Sequence, residues 1–148
     1  GGDSSRLYQS LVYKQQIAQN ASFTVDAKVD GGLLYFSAIA SEGKTATELE
    51  KALLAELKRI QNGGVTLKEL TKAKNQQIAD NIRDIETNDG KAGAIEDGIA
   101  YEHNPRAVNS WVANIQAVTV SDIKRVMKKY FSDTNRVVIY YSNEGGSK

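Results

Sequence analysis

Residues 63–76 read GGVTLKELTKAKNQ, and they hold the best-specified helix start in the chain. Thr66 and Glu69 stand three apart, the spacing of a capping box, while Val65 and Leu70 occupy the two positions of a hydrophobic staple. A helix is predicted from about residue 67 to residue 86. Its apolar face is Leu70, Ala73, Ile78, Ile82 and Ile85 with the polar Gln77 in register, narrower than a buried helix shows, so one side meets solvent. Upstream, Asn62-Gly63-Gly64 stops an amphipathic helix with Leu49, Leu53, Leu54, Leu57 and Ile60 on one face, and Thr45 or Thr47 can cap its start. Farther upstream, Ala21, Phe23, Val25 and Ala27 alternate with Ser22, Thr24, Asp26 and Lys28, then Asp30-Gly31-Gly32 leads into the apolar run 33–40. That is a hairpin signal. Residues 3–18 set Leu7, Leu11, Ile17 and Ala18 at helical spacing behind an Asp3 or Ser4-Ser5 cap, which predicts a first helix.

Downstream, Asn88-Asp89-Gly90 interrupts the pattern, and a weaker helix with Ala92, Ile95 and Ile99 runs to about Glu102. Asn104-Pro105 then reads as a cap followed by Pro at the first helical position, opening a helix through Val108, Trp111, Val112 and Ile115 that stops at Val118. Trp111 is expected in the core. Thr119 and Asp122 cap a last helix with Ile123, Val126, Met127 and Tyr130 on one face, and residues 136–141 read as a third strand. Three strands and about six helices make an α+β domain, an antiparallel β-sheet packed against helices.

Composition sets the outer bounds. With 148 residues, 41% hydrophobic and 25% charged, the chain is ordinary for one globular domain. No apolar run approaches the roughly 20 residues that cross a bilayer. A net charge of +1 gives no broad attraction to nucleic acid or anionic lipid. There is no Cys and one His, so the chain is poorly equipped to hold a catalytic zinc, which usually takes two or more His or Cys ligands.

Several local features have a chemical and a structural reading. Gly1-Gly2 before Asp3-Ser4-Ser5 resembles an anion cradle at a helix start, but a carboxylate there repels phosphate and caps the helix itself. His103 follows Glu96 by seven residues, near Asp97 and Glu102, yet neither HExxH nor HxxEH is present, and an exposed His in a last helical turn explains it. Lys124, Arg125, Lys128 and Lys129 share one side of the last helix without aromatic interleaving and read as a solvated face. Of Tyr140 and Tyr141, successive residues on a strand, one is expected to point inward and the other outward. No Ser has a His or Lys placed to activate it.

Three stretches taken together resemble the insulinase or pitrilysin family of zinc peptidases, which includes the mitochondrial processing peptidase. They are GGDSSRLYQSLVYKQQIA at 1–18, residues 45–76 ending in GGVTLKELTKAKNQ, and IQAVTVSDIKRVMKKYFSDTNRVVIYY at 115–141. The resemblance implies repeated α+β domains in two halves closing around an extended peptide, with zinc held by HxxEH and a downstream Glu in the first domain. This chain is similar to a domain that bears no metal, a partial pitrilysin-type unit over 1–148 lacking the family's N-terminal strand and helices. It implies no cofactor on this chain, zinc in the parent protein, and as partners the zinc-bearing domain of the same chain or of a partner subunit, with a peptide substrate, no nucleic acid and no membrane span in this fragment. In the family's last domain an Arg, followed seven residues later by a Tyr, reaches toward the peptide. In register those positions are Val12 and Gln19, which cannot do that work. The implied role is scaffold and chamber wall; the rival is a noncatalytic family member used for assembly.

Overall fold

The computed structural model describes residues 2–142. Among them lie a hairpin, β1 (Ala18–Lys28) and β2 (Gly31–Ala40), and five α-helices. These are α1 (Ala46–Gly63), α2 (Leu67–Asp84), α3 (Asn88–Glu102), α4 (Trp111–Ala117) and α5 (Val120–Tyr130). Two antiparallel strands with helices give the α+β class that the sequence predicts.

The chain divides into two compact units. One contains the chain up to Phe23, Phe36–Gln61 and the chain from Val126. Its core is Leu7, Leu11, Ala18, Ala21 and Leu49, and Phe36, Ala38 and Ala40 of β2 with Ala52 and Leu53 of α1 pack against it. Leu11 is fully buried. An aromatic chain continues from this core: Phe23 and Phe36 have ring centroids 4.8 Å apart, and Phe131 meets Phe36 edge-on at 5.9 Å. Gln61 donates its amide hydrogens to the carbonyl oxygens of Met127 and Phe131, so the last carbonyls of α5 are satisfied from α1.

The first helix departs from expectation. Residues 3–5 form a turn, and Tyr8–Lys14 is wound as a π-helix, with the Gln15 N–H donating to the Ser10 carbonyl. Gln16 then adopts a left-handed φ of 50°, which ends the helix and lets β1 begin at Ala18. Helical spacing in the sequence does not separate π from α winding. The hairpin turn also sits earlier than expected, at Val29-Asp30, and Gly31 and Gly32 belong to β2. Gly32 permits this, because a Cβ there would lie 2.4 Å from the backbone oxygen of Asp26.

The other unit contains Thr24–Tyr35 and Asn62–Arg125. Helix α2 starts where the box and staple place it. The Thr66 hydroxyl accepts from the Glu69 N–H at 3.2 Å, the Glu69 carboxylate accepts from the Thr66 N–H at 2.8 Å, and Leu70 is buried. The same device opens α1 through Thr45 and Glu48 and α5 through Thr119 and Asp122. Helix α2 ends at Asp84, and residues 88–90 are the first turn of α3, capped by Thr87 rather than forming the break. Gly90 makes that tight corner feasible, since a Cβ would lie 1.7 Å from the Asp84 carbonyl oxygen.

Beyond Asn104-Pro105 the expected single helix is split into a 3₁₀ turn, Ala107–Asn109, and α4. Asn104 explains the split: its carbonyl oxygen accepts from the Ala107 N–H and its side chain from the Arg106 N–H, which closes a turn before the helix starts. Trp111, expected in the core, is only half-buried. Lys74 of α2 donates to the Gln116 carbonyl at 2.7 Å, a cation at the C-terminal end of α4. Residues 136–141 are the largest departure. Among the described residues no ladder joins them to another segment, so the sheet has two strands where three are expected.

Candidate functional site

Burial of polar groups is the first guide to a site, because such groups persist only when partnered. The most buried polar pair is Ser10 of the π-helix and Glu56 of α1. Ser10 Oγ donates to Glu56 Oε1 at 2.6 Å and accepts from Gln15 Nε2 at 2.8 Å. Arg59, one turn along α1, donates to the same Glu56 oxygen. A carboxylate beside a hydroxyl invites comparison with an activated nucleophile, but Glu56 Oε1 already accepts from two donors and both side chains are closed off from substrate. The arrangement is a clamp between two helices. Sequence reasoning missed it, although a signal exists: Ser10 falls between Leu7 and Leu11, and Glu56 lies on the stripe of Leu49, Leu53 and Ile60.

Val12 and Gln19 do not form a pair of matching character. Val12 is half-buried and packs against the core of its unit, whereas Gln19 is exposed on β1. Gly1 lies outside the described residues; Asp3 and Ser4 form an exposed turn, and Ser5 Oγ accepts from the Tyr8 N–H. The cap is thus made by Ser5, inside the region expected.

His103 ends α3 in a left-handed conformation (φ 52°) and is exposed. Glu96 lies instead beside Ala92, Ile95, Ile99 and Ala100 along an open apolar groove of about 480 Å³. Among the described residues no group of three or more His, Cys, Asp or Glu could hold a metal ion. The described residues thus offer no ligand set for the zinc that the resemblance implies in the parent protein. On α5, Arg125 pairs with Asp122 at 3.4 Å and Lys129 lies over the Tyr130 ring at 4.8 Å, so two of the four clustered cations have local partners. Tyr140 donates to Glu50 of α1, and Arg136 approaches the same carboxylate at 3.9 Å. Tyr140 and Tyr141 are both exposed, at 52% and 92%, so the expected inward–outward alternation does not hold; the absence of a strand over these residues removes its basis.

The sequence model of the family described as Peptidase M16 inactive domain matches residues 1–77, more than half of the chain. The chain belongs to that family. This M16 inactive domain is 29% identical over 139 residues to the zinc protease PqqE of Helicobacter pylori, covering 94% of this chain and 31% of that protein. It is 26% identical over 138 residues to subunit 1 of the mitochondrial cytochrome b-c1 complex of Caenorhabditis elegans, covering 92% of this chain and 29% of that protein. The chain thus spans about a third of the length of the curated relatives it matches. A solved protease from Helicobacter pylori superposes with a TM-score of 0.79 at 29% identity, over 90% of this chain and 32% of that one. The inactive peptidase domain of a candidate zinc protease from Bordetella parapertussis shares the fold, with a TM-score of 0.81 at 20% identity over 93% of this chain and 72% of that one. The resemblance to the insulinase or pitrilysin peptidases and the α+β fold of that family are therefore correct, and the M16 domain is of the inactive kind. None of the described helices is long and apolar enough to cross a membrane.

Proposed function

We propose that this M16 inactive domain is the non-metal-binding scaffold of a zinc peptidase, abutting a zinc-bearing domain of the same polypeptide and walling the chamber that holds an extended peptide. One observation carries the reading: the chain matches the inactive-domain family and aligns almost end to end with part of a zinc protease, while its described residues offer no ligand set for a metal. On this reading zinc belongs to the parent polypeptide, residues 1–148 are one incomplete family unit, and Val12 and Gln19 stand where the family's peptide-contacting pair would be. The packing of Val12 against the core supports a structural duty at that position.

The test is made on the full-length polypeptide. It should contain HxxEH outside this chain, bind one zinc and cleave unfolded peptides, and deletion of this domain should abolish cleavage while zinc binding is kept. A full-length protein without HxxEH would overturn the reading in favour of the assembly subunit. That second reading has its own support in the likeness to a cytochrome b-c1 complex subunit.

A further inference from the structure

Residues 5–17 unwind by steps. The Gln9 N–H bonds the Ser5 carbonyl four residues back, the Gln15 N–H bonds that of Ser10 five back, and the Ile17 N–H bonds that of Leu11 six back, at 2.9, 2.9 and 3.0 Å. Between the first and last of these closures lies the π-helix, Tyr8–Lys14. Such winding is rare, so its persistence over seven residues calls for a cause in the side chains.

Gln15 supplies one. The residue whose N–H closes the π ring on Ser10 also donates its side-chain amide to the Ser10 hydroxyl, at 2.8 Å. In an α-helix the Ser10 carbonyl takes the N–H of Lys14 instead, and a residue five on stands about 140° around the axis. Gln15 would then point away from Ser10. Ser10 cannot turn to follow it, because its hydroxyl donates to the buried Glu56 of α1 at 2.6 Å. Gln15, Ser10 and Glu56 therefore form a line of hydrogen bonds, from the exposed end of the helix into its unit, that is complete in π winding alone.

Two further observations agree. Tyr8 and Tyr13, also five apart, have ring centroids at 6.2 Å, a contact that α winding would break. Gln16 carries a Cβ and is exposed, yet takes φ 50°, a conformation that persists where neighbouring contacts over-determine it. Here the residue before it is doubly anchored on Ser10, and the residue after it is bonded to Leu11.

We infer that Gln15 is a latch on the winding: its side chain, seated on Ser10, holds residues 8–14 in the π state. The released segment winds as an α-helix, which parts Tyr8 from Tyr13 and turns the exposed Tyr13 and Lys14 to a new bearing on the surface. Because Gln15 is itself exposed, the latch opens without disturbing the core. This goes beyond the scaffold reading and depends on neither zinc nor catalysis.

Crystal structures of the full-length polypeptide and its Gln15→Ala variant test it. The native protein should show the Gln15 N–H on the Ser10 carbonyl. In the variant the closure should shift by one residue, to the Lys14 N–H, with the Tyr8 and Tyr13 rings apart. Gln16→Gly relieves the left-handed residue without touching the latch, and the π closure should survive it. A Gln15→Ala protein still closed from residue 15 to Ser10 would overturn the inference. So would loss of the π closure in Gln16→Gly, which would show that the turn at Gln16 sets the winding.

Discussion

Ser10 and Glu56, 46 residues apart in sequence, meet through a 2.6 Å hydrogen bond inside the core unit. The bond ties the π-helix to the middle of α1, and it sets the register between two apolar surfaces that would otherwise slide. Replacing Ser10 by Ala removes a donor from a buried carboxylate, so a loss of about 1–3 kcal/mol is expected in denaturant unfolding. In Glu56→Gln the amide oxygen still accepts from Ser10, and the loss should be smaller. A midpoint unchanged for Ser10→Ala would show that the clamp contributes nothing.

Thr66→Ala deletes half of a complete capping box and should cost about 1 kcal/mol. The measurement is again the denaturant midpoint, with Leu67→Ala as a control, because Leu67 is exposed beside the cap. Equal effects of the two substitutions would mean the box is not what fixes the helix start.

Stability should fall in acid through the other two boxes. The Thr45 N–H and hydroxyl hold Glu48 below the usual carboxylate range, and the Thr119 hydroxyl and N–H do the same for Asp122. A carboxyl depressed in the fold binds fewer protons folded than unfolded. Its stabilisation is therefore full above the ordinary value of about 4 and is lost as pH falls through the lowered one. Glu48→Gln with Asp122→Asn should flatten that decline in a pH series of unfolding midpoints; an unaltered slope would refute the assignment. Tyr140 behaves oppositely. Glu50, accepting its phenolic hydrogen, raises its pKa, so that contribution persists below about pH 10 and is lost as pH rises through the raised value.

Val12 and Gln19 should separate by stability. Val12→Arg places a charge against the core and is expected to cost about 1–3 kcal/mol, whereas Gln19→Tyr on the exposed strand should stay within about 0.5 kcal/mol. Carried together into the full-length protein, the two changes should leave peptide turnover per folded molecule nearly unaltered. A tenfold gain, equivalent to about 1.4 kcal/mol at the transition state, would put this domain opposite the metal.

Calorimetric titration of the 148-residue chain with zinc should show no stoichiometric, submicromolar site. Such a site would contradict the inactive-domain reading at its root.

What could be read from the sequence was whatever a few adjacent residues decide. Each Thr-x-x-Glu or Thr-x-x-Asp box is local, so all three helix starts are found near their expected places. The hairpin was legible from alternation, but its turn moved by about one residue because Gly32 tolerates a backbone approach that spacing cannot reveal. Residues 136–141 have the composition of a strand in the sequence, yet a ladder needs a neighbour, and all six are exposed. The apolar positions of α2 and α3 were identified, but Ile82, Ile95 and Ile99 remain exposed, since periodicity names a face without supplying what covers it. The polar clamp was hidden because Glu56 reads as a flaw in an apolar stripe until Ser10 is brought to it.

The winding of Tyr8–Lys14 bears on how this chain is compared with its kin. A ladder closed from each residue to the fifth before it takes one residue more into each hydrogen-bonded loop than an α-helix does. A relative whose corresponding helix is purely α superposes with a single-residue gap inside this stretch, while the strands and helices on either side stay aligned. Counting across the gap then slips by one, so a spacing of seven in an α-wound relative becomes eight here. Correspondences at Val12 are therefore better drawn from superposed backbones than from counted letters.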